Sequence, residues 1–495
     1  MPAPGTCPHA AGGRFFVPDA MKALALALTF ALATLLQAAT LSLDTTNPAT
    51  SDVAFRPMLP VQGASAEIGV TVHNAAETEV PATISVALAD GTLLGTTTVT
   101  VPPHDSAEAA LPWVPQDNGE TALAIAVAAP DGEVVSATAV APVISRPLYF
   151  PWFGGHHGSC RQLRYPNVVL ATTEDIAYWR RRGALPCLWK GLDKTVTAEE
   201  YAAELAKGLD DTQNDAAGIM IDEMGGYDDH EILAAPWFAG LRQYLHAHPA
   251  AFTAVWMCGS LREPYCNLAR NVYRTDEGIN LLMCEAYCNY QVAEFRAFRR
   301  MVYFDQRIEM ARRQDVLMST VMTLALVGHE DKFNLTPYEL EDQLRYVRMN
   351  APEMPGVGFF HGTPPTDGLA EFADELCRKY FLLPVLDVYP EDLQLESLDL
   401  HAGREAVVLA GFRNVGASDA KAARVCLWAN DLLLLDTTLD LPAARANEVP
   451  RAVQLKAAFV PESPGFVQLR AEIHPADDRQ TLLRGSATRE IYIRP

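Results

Sequence analysis

Two apolar runs that end in acidic residues are the parts of this chain best suited to chemistry. The run 218–221 ends in Asp222 and Glu223, and the run 279–284 ends in Glu285. Short apolar runs of this kind predict buried strands. Acids that follow such strands lie where barrel enzymes place their reactive groups. Two carboxyl groups at one opening can supply the proton donor and the base or nucleophile that cleavage of a glycosidic bond requires.

Glu223 and Glu285 form the predicted catalytic pair. Glu223 is the expected general acid/base, and Glu285 is the expected nucleophile or the base that activates water. Because side chains alternate along a regular strand, Asp222 is expected to face away from Glu223. Asp222 is therefore either a supporting hydrogen-bond acceptor or, if the strand twists at its tip, the catalytic acid itself.

Further polar and aromatic residues follow the predicted strands and are candidate substrate contacts. Indoles stack on the apolar faces of sugar rings, while acids and histidines bond to hydroxyl groups. The predicted substrate-binding residues are His156, His157, Trp189, Lys190, Trp256, Tyr287, His329 and His361. A metal site could be built from His156, His157, Asp222 and Glu223, but no H-x-H spacing supports it, so we predict neither a metal nor a cofactor.

The elements that must position these residues lie between about residues 146 and 387, where strand and helix signals alternate. Capping motifs at Thr197–Glu200 and Thr336–Glu339 mark two helix starts. The predicted strands are 148–150, 167–170, 185–189, 218–222, 252–257, 279–284, 316–322 and 355–360. Eight strand–helix pairs in a segment of this length predict a (β/α)8 TIM barrel, the fold class of the central domain. A doubly wound sheet is less favoured because no G-x-G-x-x-G follows the first strand.

The flanking segments, 41–145 and 388–495, alternate apolar and polar residues between turn signals. This pattern predicts two antiparallel Ig-like β-sandwiches. The segment 113–121 resembles a strand turn of bacterial Ig-like modules of the CARDB type. The segment around Asn414 parallels the one around Asn74, and 459–465 parallels 113–119. The resemblance implies the sandwich fold and says little about function.

Residues 1–40 are predicted to be an upstream segment and a signal peptide. Met21-Lys22 precedes an apolar run, 23–36, and small residues at Ala38 and Ala39, so translation is expected to begin at Met21. The protein is therefore expected to be secreted, periplasmic or on the surface of a bacterium. An exported chain permits disulfides, and Cys258/Cys266 and Cys284/Cys288 are candidate pairs, with buried free thiols as the alternative.

Composition limits the partners. The formal net charge is −22, whereas nucleic acids and anionic membranes need clustered Lys and Arg. No segment after the signal resembles a membrane span. A carbohydrate substrate is therefore predicted, with no nucleic-acid partner.

The barrel with an acid at its fourth strand resembles the (β/α)8 glycoside hydrolases. The large retaining clan carries Asn-Glu at that tip and a nucleophile at the seventh strand, whereas Asp222 stands in the Asn position here and the seventh strand has no acid. The α-galactosidase-like clan uses the fourth and sixth strands, as this chain would, with Asp at both. The resemblance implies a secreted glycoside hydrolase. The alternatives are a metal-dependent hydrolase using the His156/His157/Asp222 region and a non-catalytic carbohydrate-binding surface protein with a degenerate barrel.

Overall fold

A computed structural model describes most of the chain. The described residues are 40–47, 51–153, 160–209, 216–225, 227–258, 261–269, 278–287, 304–326, 335–360 and 368–495. The predicted signal segment 1–39 lies outside them. So do four predicted substrate contacts, His156, His157, His329 and His361, together with Cys288, and these stay predictions.

The N-terminal part forms a sandwich of two antiparallel sheets. In one sheet β3 pairs with β1, β2 and β6, and the other has the order β5-β4-β7-β8. Inward residues such as Ile68, Val70 and Ile84 are fully buried, as the alternating sequence pattern requires. The strands are β1 Leu41–Ser42, β2 Val53–Arg56, β3 Ala66–Asn74, β4 Val80–Leu88, β5 Leu93–Val101, β6 Ser106–Trp113, β7 Gly119–Ala128 and β8 Val134–Val143.

Eight parallel strands then close into a barrel, which confirms the predicted fold class. The strands are β9 Pro151–Phe153, β10 Val168–Leu170, β11 Leu185–Lys190, β12 Gly218–Ile221, β13 Phe252–Met257, β14 Leu281–Glu285, β15 Thr320–Ala325 and β16 Val357–Phe360. Each pairs in parallel with the next, and β16 pairs with β9. The first strand starts later than predicted because Tyr149 makes only an isolated bridge to Gly356. The seventh starts later because residues 317–319 form a 3-10 turn.

Helices cover the outside of the barrel. They are α1 Ile176–Arg181, α2 Ala198–Ala206, α3 Asp229–Ala234, α4 Pro236–Ala247, α5 Glu263–Cys266, α6 Gln306–Arg313, α7 Pro337–Asn350 and α8 Leu369–Cys377. The capping boxes predicted for α2 and α7 are both present: Thr197 accepts from the N–H of Glu200, and Thr336 accepts from that of Glu339. Each cap satisfies amide groups that have no partner inside the helix.

The C-terminal part is a second sandwich. In one sheet β19 lies between β18 and β17, β17 also pairs with β24, and β22 pairs with β19; the other sheet has the order β21-β20-β23-β25. The strands are β17 Val385–Asp387, β18 Leu393–Leu395, β19 Ala406–Asn414, β20 Ala420–Ala429, β21 Leu432–Leu441, β22 Val453–Phe459, β23 Gly465–His474, β24 Thr481–Leu482 and β25 Ser486–Ile493.

The two sandwiches repeat the same device at the end of one strand, as the parallel between the two asparagine segments suggested. The Asn74 amide donates to the carbonyls of Thr78 and Val101, and its oxygen accepts from the N–H of Ala76. Asn414 donates to the carbonyls of Ser418 and Leu441 and accepts from Gly416 in the same way. Both side chains are buried, so backbone groups at the turn between the two sheets, rather than water, satisfy their hydrogen bonds.

Both sandwiches pack on the barrel. The core around the barrel helices includes Leu59 and Ile144 from the N-terminal side and Val415 and Ala417 from the C-terminal side. A Cβ at Gly183, just after α1, would lie 1.9 Å from the carbonyl oxygen of Phe55 in β2. The first sandwich and the barrel therefore pack closely at this position. The boundaries at 145 and 387 stay a prediction, because packing continues across both.

Candidate active site

Asp222 lies on the inner face of the barrel opening. Met220 belongs to the cluster inside the barrel, and Ile219 and Ile221 belong to the helix-facing cluster. Asp222 continues this alternation, and its N–H donates to the carbonyl of Lys190 at 2.8 Å, so strand pairing extends to its position. Its carboxylate accepts from the indole N–H of Trp189 at 3.2 Å and from the N–H of Glu223 at 2.9 Å.

Glu223 lies outside this regular pattern. Its φ of 57° is in the left-handed region, and its side chain is exposed. This conformation costs a residue with a Cβ about 1–2 kcal/mol, so the surrounding structure must impose it. The next N–H, that of Met224, donates to the carbonyl of Trp256 at 2.9 Å. The chain therefore turns at Glu223, from pairing with β11 to pairing with β13.

Gly225 permits this turn. A Cβ at this position would lie 1.8 Å from the carbonyl oxygen of Cys258. The segment after β12 thus crosses directly over the end of β13, and only glycine allows the two backbones to approach so closely.

Glu285 is the last residue of β14 and also faces inward. Leu281 and Met283, four and two residues earlier, belong to the interior cluster. The thiol of Cys258 donates to Oε1 of Glu285 at 3.3 Å. The polar groups of Trp256 and Tyr287 also lower the pKa of this carboxyl group.

The two inward carboxyl groups have altered proton affinities. Burial raises the pKa of Asp222, and the negative charge of Glu223 adds to that rise, while the two hydrogen bonds oppose it. Burial also raises the pKa of Glu285, the Cys258 hydrogen bond opposes the rise, and the negative charge of Asp222 increases it. The two carboxyl groups are therefore close enough to interact electrostatically across the opening.

The neighbouring thiol and phenol respond to the same acids. Burial and the charge of Glu285 raise the pKa of Cys258 and of Tyr287 above their usual values, and Asp222 contributes in both cases. Both groups therefore stay protonated at neutral pH and act as hydrogen-bond donors to the carboxylates.

Aromatic rings form a floor beneath the carboxyl groups. Trp256 donates its indole N–H to the hydroxyl of Tyr287 at 3.0 Å, and the ring of Phe153 lies 4.9 Å from that of Trp256. The ring of Phe360 stacks on Tyr287 at 5.1 Å. Trp152 packs on Phe359 in the helix-facing layer and so lies outside the opening.

The other predicted substrate contacts divide into two groups. Trp189 is 54% exposed beside Asp222, and Tyr287 is half-buried next to Glu285, so both border the opening. Trp256 is almost fully buried and supports the floor. Lys190 faces away from the opening, because its ammonium donates to the carbonyls of Glu204 and Lys207 at the end of α2.

Cys258 is a member of the site that the sequence analysis did not identify. It was considered for a disulfide with Cys266, which the structure contradicts: the Cys258 thiol contacts Glu285 instead. Its position two residues beyond Trp256 was the available signal, since extending the inward alternation of β13 places it at the opening.

A separate cavity lies elsewhere among the described residues. It has a volume of about 580 Å³ and lies where the C-terminal end of α7 meets the second sandwich, lined by residues including Glu353, Tyr389 and Arg413. Barrel helices end on the side opposite the catalytic opening, so this cavity is remote from Asp222 and Glu285.

No protein-family profile matches this chain, and no curated protein matches its sequence. The solved structures that match include glycoside hydrolases and CARDB domains. Bacteroides uniformis β-glucuronidase 2 is 9% identical over 92% of this chain and 62% of its own length, with a TM-score of 0.30. A glycosyl hydrolase family 2 member from Bacteroides cellulosilyticus is 10% identical over 90% and 64%, also at 0.30. The CARDB domain of a Pyrococcus furiosus protein is 17% identical over 22% of this chain and 95% of its own, at 0.19.

This chain thus spans less than two thirds of the length of those two glycosidases. Within the described residues, no helix combines the length and apolar character needed to cross a bilayer.

Proposed function

We propose that this protein is an exported glycoside hydrolase whose catalytic pair is Asp222 and Glu285. The observation that carries the proposal is the placement of two inward carboxyl groups at one barrel opening, coupled so that the charge of Asp222 raises the pKa of Glu285. Their strands are separated by β13 alone, so the strand tips lie about 10 Å apart along the barrel wall. Inward side chains shorten that gap toward the roughly 5–9.5 Å that glycosidases use.

The surroundings assign a role to each carboxyl group. Asp222 accepts hydrogen bonds from an indole and a backbone amide, which favour its ionised form. Glu285 also accepts a hydrogen bond, and each carboxyl group lies near another acid that raises its pKa, Glu223 for Asp222 and Asp222 for Glu285. A glutamic acid has a higher ordinary pKa than an aspartic acid, so we assign the proton of the pair to Glu285. Asp222 is therefore the nucleophile or the base that activates water, and Glu285 is the acid that protonates the leaving oxygen. The sequence suggested Glu285 as the nucleophile or base, whereas we propose it as the acid. Asp222 takes the place of Glu223 in the catalytic pair.

The aromatic residues suit a carbohydrate. The exposed indole of Trp189 offers an apolar face beside the nucleophile, and the half-buried ring of Tyr287 offers a second surface beside the acid. Sugar rings present apolar faces of matching size. The net charge of −22 favours neutral or cationic glycans over anionic polymers.

The first test is a comparison of three isosteric variants on a panel of aryl glycosides and polysaccharides. Asp222→Asn and Glu285→Gln should each lower kcat by about 10²–10⁴-fold, because each removes a group that reacts or transfers a proton. Glu223→Gln is the matched control and should retain activity within about threefold. Full activity in both Asp222→Asn and Glu285→Gln would instead support the non-catalytic binding protein.

Leaving-group dependence separates the two roles. A dinitrophenyl leaving group needs no protonation, so Glu285→Gln should retain far more activity on dinitrophenyl glycosides than on substrates with alkyl leaving groups. Asp222→Asn should lose activity on both classes. The reverse pattern would return Glu285 to the role of nucleophile.

Export is a separate part of the proposal. The basis is the run from Met21 to the small residues Ala38 and Ala39, which ends just before β1. N-terminal sequencing of protein recovered from the periplasm or medium should give a mature chain beginning near Thr40. An intact N-terminus on protein confined to the cytoplasm would contradict it.

A further inference from the structure

The outer face of the second sandwich carries a row of metal-ligand side chains. Cys426 on β20 pairs with Asp436 on β21 and with Glu472 on β23, so these three residues lie side by side on adjacent strands. His474 lies two residues beyond Glu472 on the same strand and the same face. Four residues that commonly bind metals therefore converge on one side of the sheet.

The distances between the donor atoms of three of these residues, Cys426, Glu472 and His474, fit a single small cation. Cys426 Sγ lies 3.6 Å from Asp436 Oδ1, and His474 Nε2 lies 3.7 Å from Glu472 Oε2. The donor atoms of Cys426, Glu472 and His474 all lie within 4.8 Å of one another. Tetrahedral zinc, with bonds of about 2.0–2.3 Å, separates its ligand atoms by roughly 3.3–3.8 Å.

The first sandwich provides an internal comparison. Ser85 pairs with Thr96 and with Ala126 in the same register that joins Cys426 to Asp436 and Glu472. Ala128 takes the place of His474, and a hydroxyl–hydroxyl contact of 3.1 Å between Ser85 and Thr96 occupies the row. The same sheet therefore forms without any of the four ligand types, so strand pairing does not account for their presence in the second sandwich.

The donor set selects the kind of metal. A thiolate with an imidazole and carboxylates suits zinc and similar divalent cations, whereas magnesium and calcium prefer oxygen alone. Arg424 hydrogen-bonds to both oxygens of Asp436, and Arg470 forms an ion pair with Glu472 at 3.1 Å. Such partners orient metal-binding carboxylates without occupying every lone pair.

We propose that Cys426, Glu472 and His474 form a binding site for a divalent cation of the zinc class, with Asp436 beside it accepting from the Cys426 thiol. The metal–sulfur bond forms as the thiol of Cys426 releases its proton to solvent, and His474 binds through Nε2 as a neutral imidazole. The site lies on the second sandwich and is independent of the proposed hydrolysis.

Metal binding to the full chain tests the proposal directly. After treatment with a chelator and its removal, titration with zinc should fill a site that is lost or weakened at least about tenfold in His474→Ala and in Cys426→Ser. Cobalt in place of zinc should give a thiolate charge-transfer absorption that is absent in Cys426→Ser. His401→Ala is the matched control, because His401 also contacts an acid, Asp399, with no cysteine nearby.

The variants also guard against a folding artefact. His474 is half exposed, so its replacement should leave the sheet intact, which circular dichroism can check. Equal zinc binding in the wild type, Cys426→Ser and His474→Ala would overturn the proposal, as would the absence of any zinc binding in the wild type. Any hydrolytic activity of the wild type should be unchanged in these two variants, because the metal site lies on the second sandwich. Failure of the metal proposal is thus distinguishable from failure of the glycosidase proposal.

Discussion

At the scale of single residues, the site depends on which of two adjacent acids faces the barrel opening. Asp222 continues the inward alternation of β12, whereas Glu223 adopts a left-handed conformation and is exposed. Burial raises the pKa of both inward carboxyl groups, and each also accepts a hydrogen bond and lies near another acid. Raised and interacting carboxyl groups of this kind suit an acid–base mechanism.

The raised pKa of Glu285 predicts a stability cost at neutral pH. Because its pKa in the folded state lies above that in the unfolded state, its contribution to stability is complete below the unfolded value and is lost as pH rises through the folded one. Glutamine cannot ionise, so the melting temperature of Glu285→Gln should rise relative to the wild type as pH increases from about 4 through the folded-state pKa of Glu285. Thermal unfolding across that range measures this. Glu223→Gln, at an exposed site, is the control, and a pH-independent difference for Glu285→Gln would contradict the prediction.

The indole of Trp189 should tune the nucleophile. Trp189→Phe keeps an aromatic ring but removes a hydrogen bond that favours ionised Asp222, so the pKa of Asp222 should rise. We expect kcat/KM to fall about tenfold or more, with the acidic limb of the pH–rate profile moving to higher pH. A loss of activity with an unchanged acidic limb would indicate that Trp189 contributes only a binding surface.

At the scale of elements, the opening is shaped by the crossing of the β12 segment over the end of β13. The N–H of Met224 bonds to Trp256, and Gly225 lies against the carbonyl of Cys258. Strand pairing and this crossing together hold Asp222, Cys258 and Glu285 at one level. These three residues therefore come from three consecutive barrel strands, β12, β13 and β14, rather than from one loop.

Gly225→Ala should disturb that crossing. The added methyl would lie 1.8 Å from the Cys258 carbonyl oxygen, so the segment must move. We expect a loss of about 1–3 kcal/mol in the free energy of unfolding and a fall of about tenfold or more in kcat. Gly132→Ala is the control: it has a positive φ but open space around it, so it should cost about 1 kcal/mol and leave kcat unchanged. Normal kcat in Gly225→Ala would show that the crossing does not position the acids.

At the scale of the whole molecule, the barrel and the second sandwich share buried polar contacts. Arg348 on α7 is fully buried and donates to the carbonyls of Pro352 and Tyr380 and to that of Val415 in the sandwich. Its guanidinium also lies over the ring of Phe381 at 4.4 Å. Burial lowers its pKa to about 9, which leaves it charged at neutral pH.

Replacing Arg348 should therefore weaken the whole assembly. Arg348→Met leaves several buried carbonyls without donors, so we expect a loss of about 3–5 kcal/mol in the free energy of unfolding by urea. Arg345→Met is the matched control, one helical turn away: Arg345 donates to the sandwich carbonyl of Leu483 but is exposed, so a loss of about 1 kcal/mol is expected. Equal losses for the two variants would contradict this prediction. The buried hydrogen bond from Arg348 to Val415 would then stabilise the fold no more than the bond from Arg345 to Leu483.

Local features of the sequence were enough to predict the architecture. Apolar runs specify buried strands, capping motifs such as Thr197–Glu200 specify helix starts, and alternation with turn signals specifies the sandwiches, because each is decided within a few residues. The two acidic strand ends could be found for the same reason. The relation between the Asn74 and Asn414 segments was also visible in the sequence, since each asparagine serves its own turn.

Tertiary structure alone decided which side chains meet at the opening. The turn at Glu223 arises from contact with β13, a strand that lies 30 residues further along the chain and that no local pattern around Asp222 reveals. Lys190 faces α2 because strand register, not residue type, determines the direction of its side chain. Cys258 meets Glu285 for the same reason: closure of the barrel brings neighbouring strand ends within hydrogen-bonding distance.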